Sequence, residues 1–152
     1  MTTPTKPVSM IRATWQGEHR FDTGRAGHPV ARLDGSAATG QSPTDALLSA
    51  LAACGGIDVV DILAKRRTPL TALEIEVVGE RRPTPPRRFV AIDLTYHVTG
   101  AEVERVHAER AVALAMERYC SVASSLAPDI TIRTTVVLNG ERGEPVHATI
   151  GA

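Results

Sequence analysis

Two side chains in this sequence combine nucleophilic and redox chemistry, the thiols of Cys54 and Cys120. Cys54 stands in Ser49-Ala50-Leu51-Ala52-Ala53-Cys54-Gly55-Gly56-Ile57-Asp58, and Cys120 in Glu117-Arg118-Tyr119-Cys120-Ser121-Val122-Ala123. A thiolate attacks, whereas a buried thiol without a charge partner is a small inert hydrophobe. Local sequence favours Cys120, which falls where one helical segment ends and another begins, close to Arg118. Free amides at a new helix start favour a thiolate. Cys54 lies about three turns into a helical pattern, beyond the reach of the favourable end of the helix dipole. Asp58, four residues on, shares its face and opposes a thiolate by like charge.

The remaining candidates are weaker. His19, His28, His97, His107 and His147 show no metal-ligand spacing with either cysteine. Ser124 and Ser125 have no base at a recognisable spacing. No glycine loop that would cradle a phosphate follows a strand. Seventeen basic and seventeen acidic side chains cancel, which removes the footprint of a nucleic-acid binder. The clusters Lys65-Arg66-Arg67, Arg81-Arg82 and Arg87-Arg88 read as solvated element ends. At 152 residues the chain fits one domain over 1–152, large enough to fold without a disulfide framework, with loose tails at 1–8 and 139–152. No signal-peptide pattern opens it, and the apolar run Ala46 to Ala53 is short of a membrane span, so a cytoplasmic protein is expected. Thiols there are kept reduced, which favours a catalytic or sensing pair over a staple.

The elements that must position the thiols follow from hydrophobic period and turn chemistry. Ile11, Ala13 and Trp15 alternate as a strand, Gln16-Gly17-Glu18 turns, and His19 to Thr23 returns; His28 to Leu33 reads as a third strand. Ser42-Pro43-Thr44-Asp45 is a helix start, with serine as cap and proline in the first position. The helix runs to about Arg66 and is apolar on nearly every face, as a buried helix is. Gly55-Gly56 in its middle costs about 1 kcal/mol per glycine against alanine, so either something packs closely there or the helix bends. Leu73, Ile75 and Val77 alternate as a strand, Arg82 to Pro86 turns, and Val90 to Val98 alternates as its antiparallel partner. A second helix is expected over about 101–118, with Val103, Val106, Arg110, Ala113 and Leu114 along one side and no charge pair between Glu104 and Ala108, so that packing must hold it. A short helical piece follows over 120–126, and Ile130, Ile132, Thr134 and Val136 mark a last strand. The order is α+β with antiparallel pairing.

Ser42-Pro43, the helix ending Ala52-Ala53-Cys54, its continuation Gly56-Ile57-Asp58-Val59-Val60-Asp61-Ile62-Leu63, and Glu117-Arg118-Tyr119-Cys120-Ser121-Val122-Ala123 together resemble the OsmC/Ohr family of osmotically inducible and organic hydroperoxide resistance proteins, in its YhfA-like branch. The resemblance spans roughly Met10 to Leu138. It implies an intertwined homodimer in which antiparallel sheets from both chains wrap two long central helices, and this would account for a helix apolar all round.

The resemblance also assigns roles. In peroxidase members the cysteine on the central helix attacks the peroxide and becomes a sulfenic acid, which the second cysteine converts to a disulfide. Cys54 and Cys120 match those positions, which overrules the local preference for Cys120 as the attacking thiol. An arginine held by a glutamate activates the thiol in those members. Arg32, in Ala31-Arg32-Leu33-Asp34-Gly35, resembles that arginine, with Arg12, Arg20 and Arg25 as competitors. The glutamate position, directly after the proline, holds Thr44 here. Asp45 lies about 100° around the helix and reads as a capping acid. The expected activity is a thiol peroxidase acting on organic hydroperoxides in oxidative stress defence, without metal or other cofactor. A dithiol, such as a lipoylated protein, would reduce the disulfide. The rival is a non-catalytic or redox-sensing dimer that binds a small apolar ligand; Thr44 favours it.

Overall fold

The computed structural model describes residues 2–151 and divides into two compact units, one through Leu47 and one from Leu48 onward. The first is a three-stranded antiparallel sheet of β1 (Arg12–Trp15), β2 (Arg20–Gly24) and β3 (Ala31–Asp34), in that order. Residues 2–11 carry no secondary structure. The β1–β2 turn falls at the expected residues, with Gly17 and Glu18 at φ 91° and 50°. The left-handed region costs glycine nothing and explains why it stands there. Cross-strand register sets Asp22 opposite Arg32.

The loop after β3 is built around one buried carboxylate. Asp34 accepts from the amide and hydroxyl of Ser36 (2.9 and 2.7 Å) and from those of Thr39 (3.0 and 2.7 Å). These donors, led by the Thr39 hydroxyl, hold its carboxyl well below the usual carboxylate range. Ser42 then caps α1 (Pro43–Lys65) by accepting from the Asp45 amide at 3.2 Å.

The second unit holds a five-stranded sheet. β4 (Ala72–Arg81) and β5 (Phe89–Thr99) pair antiparallel as expected, whereas β5 and β6 (Thr131–Leu138) run parallel, Ala91 opposite Thr131 through Val98 opposite Leu138. The expectation of antiparallel pairing fails at this edge because the connection contains α2 (Arg105–Leu114), and a crossover of that length returns the chain in the same direction. Part of the expected tail is also ordered: β7 (Glu141–Arg142) and β8 (Val146–His147) both fold back onto β6. They cover backbone groups that would otherwise leave β6 as an open edge.

The glycine pair in α1 answers the question its cost raised. The helix runs through it unbroken. A Cβ on Gly56 would lie 2.9 Å from Ile75 Cδ1, and one on Gly55 2.7 Å from Met116 Cε and 2.8 Å from the Tyr96 hydroxyl. Close packing, not a bend, is what the glycines permit. Leu51, Gly55, Val59 and Leu63 make the buried stripe, at the i, i+4 spacing of one helix face. Leu47, Ile57 and Val60 remain exposed. All-round burial is therefore not reached within one chain, and by length and composition alone α1 is apolar enough to cross a membrane.

The second helix is shorter than expected and turned differently. It buries Ala108, Ala111 and Val112, while Val106 is 63% exposed. Arg105 and Glu109 form an i, i+4 pair at 3.2 Å, and Arg105 also donates to the Glu141 carbonyl at 2.6 Å. Residues Ala115–Tyr119 continue as a π-helical turn, and α3 (Ser121–Ser125) follows.

Candidate active site

The two thiols reach one another from different elements. Cys54 is half-buried in the middle of α1, Cys120 is 2% exposed, and both are free. Cys120 stands in extended backbone between the π turn and α3. The π turn places it, since its amide donates to the Ala115 carbonyl five residues back at 2.7 Å. Such widened turns add one residue to the helical circuit and re-aim the next stretch of chain. Its sulfur accepts from the Ala123 amide at 3.4 Å.

Burial pushes the Cys120 thiol up to about 11. The Ala123 and Val122 amides pull the other way, and the neighbouring Cys54 thiol adds to the rise. Desolvation of the charged form wins over the amides of a short helix. This reverses the local expectation that a helix start makes Cys120 the stronger thiolate. It is a thiol at neutral pH.

Two polar groups beside the pair have no hydrogen-bond partner among the described residues. Tyr96 is fully buried on β5, and its hydroxyl makes no hydrogen bond. Its acidity is suppressed by burial first and then by the Cys120, Asp58 and Cys54 charges. The second is Oδ2 of Asp58, one turn of α1 beyond Cys54. Burial, then the Asp61 charge, raises its carboxyl. An unpaired buried polar group costs roughly 1–3 kcal/mol, so such groups ask for an explanation. Asp58 also lines a cavity of about 390 Å³ with Asp61, Ile62, Lys65, Arg66, Leu114 and Tyr119.

Arg32 lies on β3, where its guanidinium grips Asp22 at 2.5 and 3.2 Å. That bidentate pair raises Arg32 and lowers Asp22 from their ordinary values, the shared hydrogen bonds being the main cause for both. The competitors differ. Arg20 approaches Glu18 at 3.7 Å, while Arg12 and Arg25 line an open groove of about 320 Å³ with His28. The Thr44 hydroxyl is 3.3 Å from that of Ser42, a contact within the helix cap. Sequence reasoning misses Asp22 because it lies ten residues from Arg32; the signal is the strand register, which sets the two opposite each other. Tyr96 reads in sequence only as a strand residue, and the signal there is one hydroxyl on an otherwise aliphatic face.

The other candidates have structural occupations. Ser124 and Ser125 hydroxyls donate to the Ser121 carbonyl at 3.4 and 2.7 Å. His107 is 2.7 Å from an Arg66 nitrogen. His97 is half-buried, with Nε2 3.5 Å from Glu76. Among the described residues no cluster of His, Cys, Asp and Glu could hold a metal ion.

The family model described as OsmC-like protein matches residues 34–135. The chain belongs to the OsmC-like family. Protein YhfA of Escherichia coli strain K12 is 37% identical over 107 residues, 70% of this chain and 80% of that protein. A hypothetical protein from Aquifex aeolicus VF5 superposes with a TM-score of 0.80 at 25% identity, covering 88% of this chain and 98% of that one. An organic hydroperoxide resistance protein from Legionella pneumophila has a TM-score of 0.61 at 16% identity, over 86% and 98% of the two chains. The OsmC-like fold is thus shared with proteins of hydroperoxide resistance, at an identity that speaks for the fold alone.

Proposed function

We propose that this OsmC-like protein is a thiol peroxidase that reduces organic hydroperoxides, with Cys54 attacking and Cys120 resolving. The observation that carries the reading is the pair itself: two free thiols in reach of one another, the half-exposed one on α1 and the buried one pushed up to about 11. An attacking thiol needs access and a resolving thiol does not. The Cys54 thiolate attacks the peroxide, forming an S–O bond as the O–O bond breaks, and the alkoxide takes up a proton to leave as the alcohol. The Cys120 sulfur then attacks Cys54, the S–O bond breaks, and water leaves with the Cys120 proton. A dithiol such as a lipoylated protein reduces the disulfide, and no cofactor takes part.

Arg32 supplies the activating cation in this reading. Thr44 carries no charge to hold a guanidinium, and Asp22 holds it instead. A homodimer completes the protein: Trp15 and Val30 in the first unit, and Ile57 and Val60 in the second, are exposed apolar side chains that a second copy would cover. We place it in the cytoplasm, where thiol pools return the pair to the reduced form.

The rival reading, a redox-sensing or non-catalytic dimer for a small apolar ligand, is favoured by Thr44, which brings no carboxylate to the start of α1, and by Asp58, which lines a cavity of about 390 Å³ beside the thiol helix. Single-turnover oxidation with cumene hydroperoxide and thiol counting separates them. Loss of both thiols within seconds is expected, and thiols intact after minutes exclude the peroxidase.

A further inference from the structure

Among the described residues, Tyr96 is a fully buried side chain beside the thiols whose polar atom has no hydrogen-bond partner. Its ring is enclosed by the core, and phenylalanine would fill the same volume without stranding a hydroxyl. The backbone of α1 makes room for that hydroxyl. The residue it meets is Gly55, next to Cys54, and any side chain at that position would come within 2.8 Å of the phenol oxygen. Both sulfurs act on the hydroxyl electrostatically, although neither is hydrogen-bonded to it. A donor that stops short of a sulfur is placed to meet an atom added to that sulfur.

We propose that Tyr96 is a positioning residue for the oxidised site: its hydroxyl donates a hydrogen bond to the oxygen that Cys54 gains, and holds the Cys54 sulfur turned toward Cys120. This rests on the peroxidase reading and goes beyond it. When the Cys54 thiolate takes the terminal peroxide oxygen, the new S–O bond carries that oxygen into the region of the phenol. Tyr96 keeps its proton throughout, because burial suppresses its ionisation. When Cys120 attacks, the S–S bond forms, the S–O bond breaks, and the oxygen leaves as water with the Cys120 proton. Tyr96 is thereby released.

The test is a partition that does not depend on how fast the first oxidation runs. Each sulfenic acid either closes to the Cys54–Cys120 disulfide or meets a second peroxide and becomes a sulfinic acid. Intact mass after exposure to graded cumene hydroperoxide gives the ratio of the two. Tyr96→Phe should lower the peroxide concentration that splits the products equally by about fivefold, the effect of losing one neutral hydrogen bond. An unchanged ratio overturns the proposal, as does a wild-type chain that yields no disulfide at any concentration. Failure of the peroxidase reading looks different: the first oxidation would then be no faster than that of a free cysteine, with the ratio still measurable.

If Tyr96→Phe does not fold, 3-fluorotyrosine keeps the side chain and strengthens its donor. Tyr119 is the other tyrosine, so Tyr119→Phe leaves Tyr96 as the single fluorinated site. The sulfinic share should fall there relative to the unfluorinated Tyr119→Phe chain, and a rise or no change counts against Tyr96.

Discussion

The β1–β3 sheet and the thiol region handle polar groups in opposite ways. In the sheet, Arg32 and Asp22 satisfy one another and Asp34 takes up the donors of Ser36 and Thr39. Around the thiols, the Tyr96 hydroxyl and Asp58 Oδ2 have no hydrogen-bond partner among the described residues. A closed hydrogen-bond network fixes geometry, whereas an open one holds free energy that a reacting group can draw on. The first region leaves its charged side chains paired. The second leaves a hydroxyl and a carboxylate oxygen free among the described residues.

The sharpest break between the regions is at the sulfurs. Cys54→Ser should abolish peroxide-dependent thiol loss. Cys120→Ser should leave the first oxidation in place and stop at a sulfenic acid that dimedone traps. If the two variants behave alike, the assignment of attacking and resolving roles is wrong. The next effect is in pH. A thiol moved from 9.0 to about 11 carries about a hundredfold less thiolate at neutral pH. Iodoacetamide should therefore label Cys120 about a hundredfold more slowly than a free cysteine at pH 7, with the rate climbing until about pH 11. Stability follows the same group. Its folded value lies above its unfolded one, so the native state holds more protons between pH 9 and 11, and the stability from this thiol is lost as pH rises through that window. Urea midpoints at pH 8 and 10.5 check the sign.

The same contrast explains what is legible in the chain alone. Caps, turns and alternation are local signals, so the Ser42 cap, the Gln16 to Glu18 turn and the β4–β5 hairpin are legible, as is the demand for close packing at Gly55 and Gly56. The parallel β5–β6 register and the return of β7 and β8 are not, because the alternation of Ile130 to Val136 is the same whichever way the neighbouring strand runs. The helix start at Cys120 is where the local pattern puts it, but its weight is not: its amides do reach the sulfur, and burial outweighs them. The buried face of α2 differs because the expected side follows Val103, Val106 and Arg110, while the helix starts at Arg105 and packs its alanines. A tyrosine among aliphatic residues gives no hint that its hydroxyl will lie against the backbone of Gly55.

Smaller changes refine the comparison. Asp22→Asn keeps the sheet and loses the charge that grips Arg32, so the first oxidation should slow about tenfold, less than the roughly hundredfold or more lost with a directly acting electrostatic group. Thr44→Glu alone should stay within about twofold of the wild-type rate, since Asp22 already supplies the carboxylate; a large acceleration would show that Asp22 does not do the work assigned to it.

The smallest expected effect tests the open network itself. Asp58 shares a helix face with Cys54, its carboxyl is raised by burial and by Asp61, and the cations lining its cavity are Lys65 and Arg66. Tyr96, Tyr119 and Cys120 add no positive charge. Asp58, as a group with a raised folded value, withdraws stability as pH climbs through its titration. Asp58→Asn should speed iodoacetamide labelling of Cys54 about twofold to threefold at pH 7, the scale of one partly screened like charge. It should also flatten the loss of stability as pH rises above the ordinary carboxylate range. Slower labelling would mean that the carboxylate helps to organise the thiol, and the thiol region would then be a closed network like the sheet.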